Sequence, residues 1–323
     1  MPSEKIPSLS DAALERRNRF REHFYRQVQW EDLDSAHVAE LIDRAAKEDL
    51  AGAGFRYACE KPGDPTSELF LSPDQKVTAT LVARQPMTVA GLRMAPAILD
   101  RFDSKLKIEF LVRDGESVSA KTALAEITGS APSLFTAERT LLNFVQMLSG
   151  IATETHRLTK LLEATKTRLL DTRKTHPGYR ALTKYAVSAG GGWNHRLGLY
   201  DRIMLKDNHL AANASSFESA FAEAVSKARD LRPDLPIEVE IDSLVQLPTV
   251  LSAEPDMILF DNFSTTDIQK AVSIVGGRCL TEISGNVTAE SLPQLAPLGA
   301  DFISTGATVH QSRWVDLGLD LAS

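Results

Sequence analysis

The second half of the chain repeats a rhythm of short apolar runs that each end in polar or charged residues. They are RLLDTRKT from Arg168, RIMLKDNH from Arg202, IEVEID from Ile237, DMILFDNF from Asp256, CLTEISGN from Cys279 and DFISTGAT from Asp301. Stretches of helical composition, such as SSFESAFAEAVSKARDL, lie between several of them. Strands alternating with helices predict a parallel sheet. The last four runs follow one another at nearly the shortest spacing a β/α unit allows, which predicts a closed α/β barrel. Its active site would lie where the polar residues cluster, at the C-terminal strand ends. An open doubly wound sheet is the alternative, but no glycine fingerprint follows a first strand to support it.

The first half reads differently. From Val77 to Gly129 the runs VTATLVAR, KIEFLV and ALAEITG, divided by turns such as Asp114-Gly115, predict strands. The stretch DGESVSAKTALAEITG has a flavour of a lipoyl-type carrier hairpin but lacks a lysine at the tip of a tight turn, so a structural sheet is the better reading. Residues 136–164 switch to helical spacing, through Leu141, Leu142, Val145, Leu148, Ile151, Leu158, Leu161 and Leu162, with an interruption expected near Gly150. The N-terminal sheet domain is expected to end near this helix. Residues 51–75 are rich in glycine and proline and read as loop. At the N-terminus, Ser8 or Ser10 can cap a helix with Leu14, Phe20, Phe24 and Val28 on a partly apolar face.

Composition narrows the function. The chain has 323 residues, is 43% hydrophobic and carries a net charge of −7, which argues against general nucleic-acid binding. Two cysteines, Cys59 and Cys279, make neither a disulfide framework nor a metal-ligand spacing, and a reducing cytoplasm is expected. No apolar run approaches the roughly 20 residues of a membrane span. Glu4, Asp11, Glu15 and Glu22 speak against a transit peptide.

Against that acidic background the strand endings are locally cationic. Arg173, Lys174, His195, Arg196, Lys206 and His209 supply positive charge or donors. Such a cluster suits a strongly anionic small molecule, with guanidinium forks gripping carboxylate or phosphate and lysine adding a point charge. Glu240 and Asp261 lie on neighbouring strands and suit a divalent metal, ribose hydroxyls or developing positive charge on a sugar. The turns SGN (284–286) and STGA (304–307) offer small residues and open backbone N–H groups. The combination points to a substrate bearing phosphates and carboxylates, a Mg²⁺ ion and a cation-like transition state. The bland alternative has Arg173 and Lys174 pairing Glu240 and Asp261 in a salt-bridge network at the barrel mouth.

Other chemistry is weighed residue by residue. His195 can donate to a substrate carboxylate or cap a loop; His209 supports its neighbours and His176, before Pro177, belongs to a turn. Ser284 lacks a nucleophile-elbow setting and a base partner. Lys206 ends an apolar strand as a Schiff-base lysine would, but adjacent Asp207 favours its charged form. A barrel lyase using Lys206 is therefore the second reading, and a non-catalytic anion-binding protein the third.

The motifs also resemble a known family. LLDTRKTHPGYRALTKYAVSAGGGWNHRLGLYDRIMLKDNH is similar to the core signature of the quinolinate phosphoribosyltransferases, and the similarity continues through TATLVARQPMTVAGL, AERTLLNFVQMLSGIAT, EVEIDSL, ILFDNF, EISGNV and ISTGATVHQS. It runs from about Lys47 to the C-terminus. The first 40 or so residues read as an extension, and LAGAGFRYACEKPGDPTS is longer than the usual segment there. The resemblance implies an α/β sandwich domain followed by an incomplete seven-stranded (β/α) barrel. The corresponding segments are a helical extension over 1–45, the sandwich over 46–136, the barrel over 137–310 and a tail over 311–323 able to pack back on the sandwich. It also implies a head-to-tail homodimer, higher oligomers being compatible, with each N-terminal domain covering the partner's barrel mouth.

By the same resemblance, quinolinate, PRPP and Mg²⁺ give nicotinate mononucleotide, CO₂ and pyrophosphate in de novo NAD synthesis. Arg173, His195, Arg196 and Lys206 fall where the family holds the two quinolinate carboxylates, and Arg139 matches an arginine that reaches in from the partner subunit. Lys174 matches a lysine near the reacting groups and the PRPP phosphates. Glu240 and Asp261 match the acids that position ribose and metal, directly or through water. Ser284, Gly285, Asn286, Thr305 and Gly306 correspond to the region around the 5-phosphate. Asn286 stands where a second glycine is common, a change asparagine tolerates because it adopts left-handed conformations. A paralogue associated with molybdate transporters shares DTRKT and HR but typically replaces KDNH, so MLKDNH favours the quinolinate enzyme.

Overall fold

The computed structural model of the protein describes residues 11–56, 59–206 and 217–322. They form two compact units, each assembled from separated stretches of chain.

The sandwich unit takes Val28–His156, Ala181–Gly191 and the C-terminal residues from Gln311. Its strands are β1 (Lys76–Ala83), β2 (Met87–Thr88), β3 (Lys107–Phe110), β4 (Ser117–Val118) and β5 (Ala123–Ser130), joined by the chain's last strand, β12 (Leu317–Leu321). Four of them make a sheet in the order β12-β1-β5-β3, and β2 pairs with β4. Along β1 the residues Ala79, Leu81 and Ala83 are buried while their neighbours are less so, the period of a half-covered strand. Helix Ser35–Ala51 begins where the Asp34 carboxylate accepts the Ala36 N–H, and ends at Gly52 with φ of 66°.

The 30-residue helix Ala131–Lys160 runs unbroken through the position where an interruption was expected. Gly150 answers a packing demand instead. A Cβ there would come within 2.3 Å of the Arg313 carbonyl oxygen, so the missing side chain lets the C-terminal tail lie against the helix. That tail is the sheet's edge strand: β12 pairs antiparallel with β1, and Arg84 forms an ion pair with Asp320 across them.

The barrel unit takes the residues up to Gln27, together with Arg157–Arg180 and Gly192–His310. Its strands are β6 (Arg168–Leu170), β7 (Ile203–Leu205), β8 (Ile237–Ile241), β9 (Met257–Asp261), β10 (Leu280–Ser284) and β11 (Phe302–Ser304). All six are parallel, in the order β6-β11-β10-β9-β8-β7. The first strand meets the last, as in a barrel. A single parallel bridge from Leu170 to Trp193 continues the sheet on the other side of β6, where a seventh strand is expected. Among the described residues the ring is not paired between that bridge and β7.

Alternation sorts the strands. Ile237, Val239 and Ile241 of β8, Ile258 and Phe260 of β9, Ile283 and Ile303 join Leu247, Val250, Ile268, Ala271 and Val275 from the helices in one apolar core. The intervening positions, including Glu238, Glu240, Asp261, Glu282 and Ser284, point to the opposite face.

These units correct the linear boundaries. Residues 137–156 and 181–191, expected in the barrel, belong to the sandwich unit: the first lie on the long helix Ala131–Lys160, and the second make the helix Arg180–Ala189, where Gly190 packs on the Ala152 carbonyl of that long helix. Residues 11–27, expected in a separate extension, belong to the barrel unit, because Phe20 and Phe24 are buried with Leu170, Met257, Leu280 and Phe302.

Candidate active site

The parallel strands bring their C-terminal ends to one rim. Beyond Leu170 of β6 stand Asp171, Thr172, Arg173 and Lys174; Lys206 follows β7. Glu240 is the penultimate residue of β8, Asp261 the last of β9 and Ser284 the last of β10, and β11 leads into Thr305 and Gly306. Asp261 and Ser284 are register partners.

Arg173 and Lys174 are exposed, and the Lys174 N–H donates to Thr172 Oγ1 at 3.0 Å. A Cβ at Gly306 would come 2.9 Å from Lys174 Cδ and 2.7 Å from a His310 ring carbon, so the glycine lets the lysine stem lie on the TGA turn. Glu240 is ion-paired with Lys206, rather than with Arg173 or Lys174 as in the salt-bridge alternative. Asp261 accepts from Asn262 Nδ2 at 2.9 Å, and Asn262 Oδ1 accepts from Asn286 Nδ2 at 3.0 Å. Gly285 has φ of 86°, and a Cβ there would sit 2.7 Å from the Asn262 nitrogen. Asn286 is itself left-handed, with φ of 48°. The Thr305 hydroxyl ties the two turns together: it donates to the Val287 carbonyl, just beyond SGN, at 3.1 Å and accepts the Ala307 N–H at 3.2 Å.

His195 and Arg196 stand on the loop between the helix Arg180–Ala189 and β7. Fully buried Asp171 accepts the His195 N–H at 2.8 Å and Asn194 Nδ2 at 3.0 Å. His195 Nδ1 accepts the Arg196 N–H at 2.7 Å, which leaves the ring proton on Nε2. That nitrogen is directed at Glu238 Oε1, 3.4 Å away, and Glu282 Oε2, 3.5 Å away. Arg202 donates to Glu238 Oε2 at 2.9 Å. Glu238 and Glu282 stand two residues before Glu240 and Ser284 and so lie on the same face, one layer deeper.

Burial works against ionising Glu238, but the facing His195 and Arg202 outweigh it and hold its carboxyl well below the usual range. Burial, reinforced by the charge of Glu238, pushes Glu282 well above that range and keeps it protonated. The trio of His195, Glu238 and Glu282 places ligand-type atoms within 4.8 Å of one another. Arg202 neutralises Glu238 there, and three carboxylate oxygens of the pair, Glu238 Oε1 and both of Glu282, are buried without a hydrogen-bond partner among the described residues. Nearer the rim, burial and the neighbouring Arg173 lower the pKa of Arg196, a mark of crowded positive charge.

Arg139 is exposed on the helix Ala131–Lys160, in the sandwich unit. Asp207, Asn208 and His209 of the MLKDNH motif lie outside the described residues.

Comparison with known proteins decides the family. The C-terminal domain model of quinolinate phosphoribosyl transferase matches residues 151–320, and the N-terminal domain model matches residues 64–149. The chain belongs to the quinolinate phosphoribosyl transferase family. It is similar to the nicotinate-nucleotide pyrophosphorylase [carboxylating] of Mycobacterium leprae, at 40% identity over 295 residues, covering 90% of this chain and 99% of the relative. A probable enzyme of the same name from Bacillus subtilis is 38% identical over 260 residues, covering 80% of this chain and 88% of the relative. The solved nicotinate-nucleotide pyrophosphorylase of Francisella tularensis superposes with a TM-score of 0.83 at 38% identity, covering 91% of this chain and 99% of that one. Membership accounts for the two-unit α/β architecture with its parallel sheet.

The deeper layer of Glu238, Glu282 and Arg202 was missed in the sequence reading, as were Asp171 and Asn194. A signal existed for the glutamates. In IEVEID and CLTEISGN the period of two that places Glu240 and Ser284 on one face places Glu238 and Glu282 beneath them.

Proposed function

We propose that this chain transfers the phosphoribosyl group of PRPP to quinolinate with loss of CO₂, forming nicotinate mononucleotide and pyrophosphate in NAD biosynthesis. The observation that carries the reading is the single rim on which four cations, Arg173, Lys174, Arg196 and Lys206, stand with two carboxylates, Glu240 and Asp261, beside the SGN and TGA turns. The names of the relatives point to the same reaction.

In this reading Arg173, Arg196 and Lys206 grip the two quinolinate carboxylates, with Arg139 of a second copy completing the grip in a homodimer. His195, buried beneath the rim, presents Arg196 and supports the same subsite. Lys174 faces the pyrophosphate and reacting groups, while Ser284, Gly285, Asn286, Thr305 and Gly306 form the turns that receive the 5-phosphate. Glu240 and Asp261 stabilise positive charge at C1 of the ribose as pyrophosphate departs. The quinolinate nitrogen then attacks C1. The quaternary ring accepts the electrons of the C2–carboxylate bond, CO₂ leaves, and C2 takes up a proton.

Mg²⁺ fits the donor set: Glu240 and Asp261 are half-buried oxygen donors at one rim, and Mg²⁺ commonly binds through one or two carboxylates plus water and substrate phosphate. The chemistry it would supply is charge neutralisation on the pyrophosphate. Among the described residues no helix is long and apolar enough to cross a membrane. We assign the protein to the cytoplasm on its two cysteines, which stand free of any disulfide. The test is Glu240→Gln, expected to lower kcat by about a hundredfold or more with little change in KM for quinolinate. An unchanged kcat overturns the role of Glu240.

A further inference from the structure

Residues 11–27 lie outside both matched family segments, the first of which begins at residue 64. They fold on the barrel unit, and their last residues are tied at several points to one loop. The Arg26 carbonyl accepts the Asn194 N–H at 2.8 Å. The Arg26 guanidinium meets both oxygens of Asp201 at 2.9 Å, and Oδ2 of that carboxylate also accepts the Leu197 N–H at 2.7 Å. Gln27 Nε2 donates to the Gly192 carbonyl at 2.9 Å. Fully buried Arg202 donates to the His23 carbonyl at 2.9 Å and stacks over the Phe24 ring, 4.5 Å from its centroid. The Tyr25 ring meets Trp193 edge-on at 5.9 Å.

The attachments fall at Gly192, Trp193, Asn194, Asp201 and Arg202, so they bracket His195 and Arg196 on both sides. Besides these attachments the loop is held on its first half by Asp171, which accepts the His195 N–H and Asn194 Nδ2, and by the Trp193 bridge to Leu170. An oxyanion reader has to be held in place before the ligand arrives, on the Arg196 side as well as the His195 side. Arg26 is suited to that holding. Its carbonyl fixes the residue just before His195, and its guanidinium, through Asp201, fixes the N–H just after Arg196. The Asp201 side chain is almost wholly buried, so the pair is shielded from solvent more than an ordinary surface ion pair.

We propose that the segment His23–Gln27 is a strap that positions the His195–Arg196 loop for the substrate dicarboxylate, with Arg26 as its positioning residue. The strap touches no substrate and acts through the backbone of the loop. This inference rests on the assignment of His195 and Arg196 to the quinolinate subsite.

The test compares Arg26→Ala and Arg26→Lys with Arg17→Ala in the full chain. Arg17 anchors the same N-terminal segment elsewhere, donating to the Gly277 carbonyl at 2.8 Å. Arg26→Ala is expected to raise KM for quinolinate by about tenfold or more while moving KM for PRPP by less than about twofold. Arg26→Lys, which keeps the charge, recovers part of the loss, and Arg17→Ala leaves both KM values in place. A quinolinate KM unchanged in Arg26→Ala, or both KM values rising together in Arg26→Ala and Arg17→Ala alike, overturns the strap. Hydrogen exchange of the ligand-free protein supplies an arm independent of the reaction: residues 192–202 exchange faster in Arg26→Ala and not in Arg17→Ala. Equal protection in all three variants overturns the strap even if the reaction is as described. If the wild type makes no nicotinate mononucleotide, the reaction assignment fails, and the exchange comparison alone decides whether the strap exists.

Discussion

Two glutamates at equal depth in the barrel carry different protonation. Glu238 faces Arg202 and His195, while Glu282 faces Glu238. Substitution should separate them. Glu238→Gln leaves the guanidinium of Arg202 buried without its counter-charge and should cost about 3–5 kcal/mol of stability in urea unfolding. Glu282→Gln replaces a neutral acid with a neutral amide of the same shape and should cost far less. The pH dependence follows from the raised pKa of Glu282. The unfolded chain gives up this proton near the ordinary value of about 4.3, and the folded protein holds it to higher pH. Folding therefore binds a proton above that pH, and wild-type stability falls relative to Glu282→Gln as pH rises toward the folded pKa. Urea titrations of the two proteins at pH 5 and pH 8 read this directly; a gap that does not change with pH contradicts the assignment.

That the rim residues stand together at strand ends was largely legible, because an apolar run ending in a charge marks a strand and its end. His195 was legible as a candidate beside the rim, but its burial was not. Its neighbours Glu238 and Glu282 come from strands 44 residues apart in numbering, and only the parallel pairing brings them together.

Among elements, the long helix and the N-terminal segment show where local signals stop. A glycine within a helical pattern reads as a break, because locally it weakens the helix. At Gly150 the reason lies instead in the approach of Arg313, which no local pattern reveals. Gly150→Ala should therefore displace the tail and lower Tm by several degrees, although alanine is the better helix former. The N-terminal segment was legible as an amphipathic helix whose place in the fold was not. Phe24→Ala, which empties a buried ring site under Arg202, should destabilise the barrel unit by about 3–5 kcal/mol. A loss below about 1 kcal/mol would mean that the segment merely rests on the surface.

The glycine run 190–192 belongs to the same scale. Gly190 allows close approach to the Ala152 carbonyl, where a Cβ would sit 2.4 Å away, and the Gly192 carbonyl receives Gln27. These glycines shape the loop. Trp193, for which the sequence offers no role, bridges to Leu170 and packs against Tyr25.

For the whole molecule, the fold class followed from the alternation of strands and helices, but the division into units did not. Contiguous domains are the simplest reading of a sequence, whereas here one helix and both chain ends are shared out between units. The proposed homodimer carries its own test. If Arg139 is supplied by a second copy, mixing Arg139→Ala with Glu240→Gln under exchange conditions should restore about a quarter of wild-type activity, because half the dimers then hold one intact site. No restoration in a mixture shown to contain heterodimers contradicts a shared site.

The central claim is the reaction itself, and it is tested most directly by incubating the protein with quinolinate, PRPP and Mg²⁺ and measuring nicotinate mononucleotide together with released CO₂. The account predicts both products in equal amounts, and their loss when a chelator removes the metal. Absence of both at saturating substrate, or release of CO₂ without the mononucleotide, would contradict it.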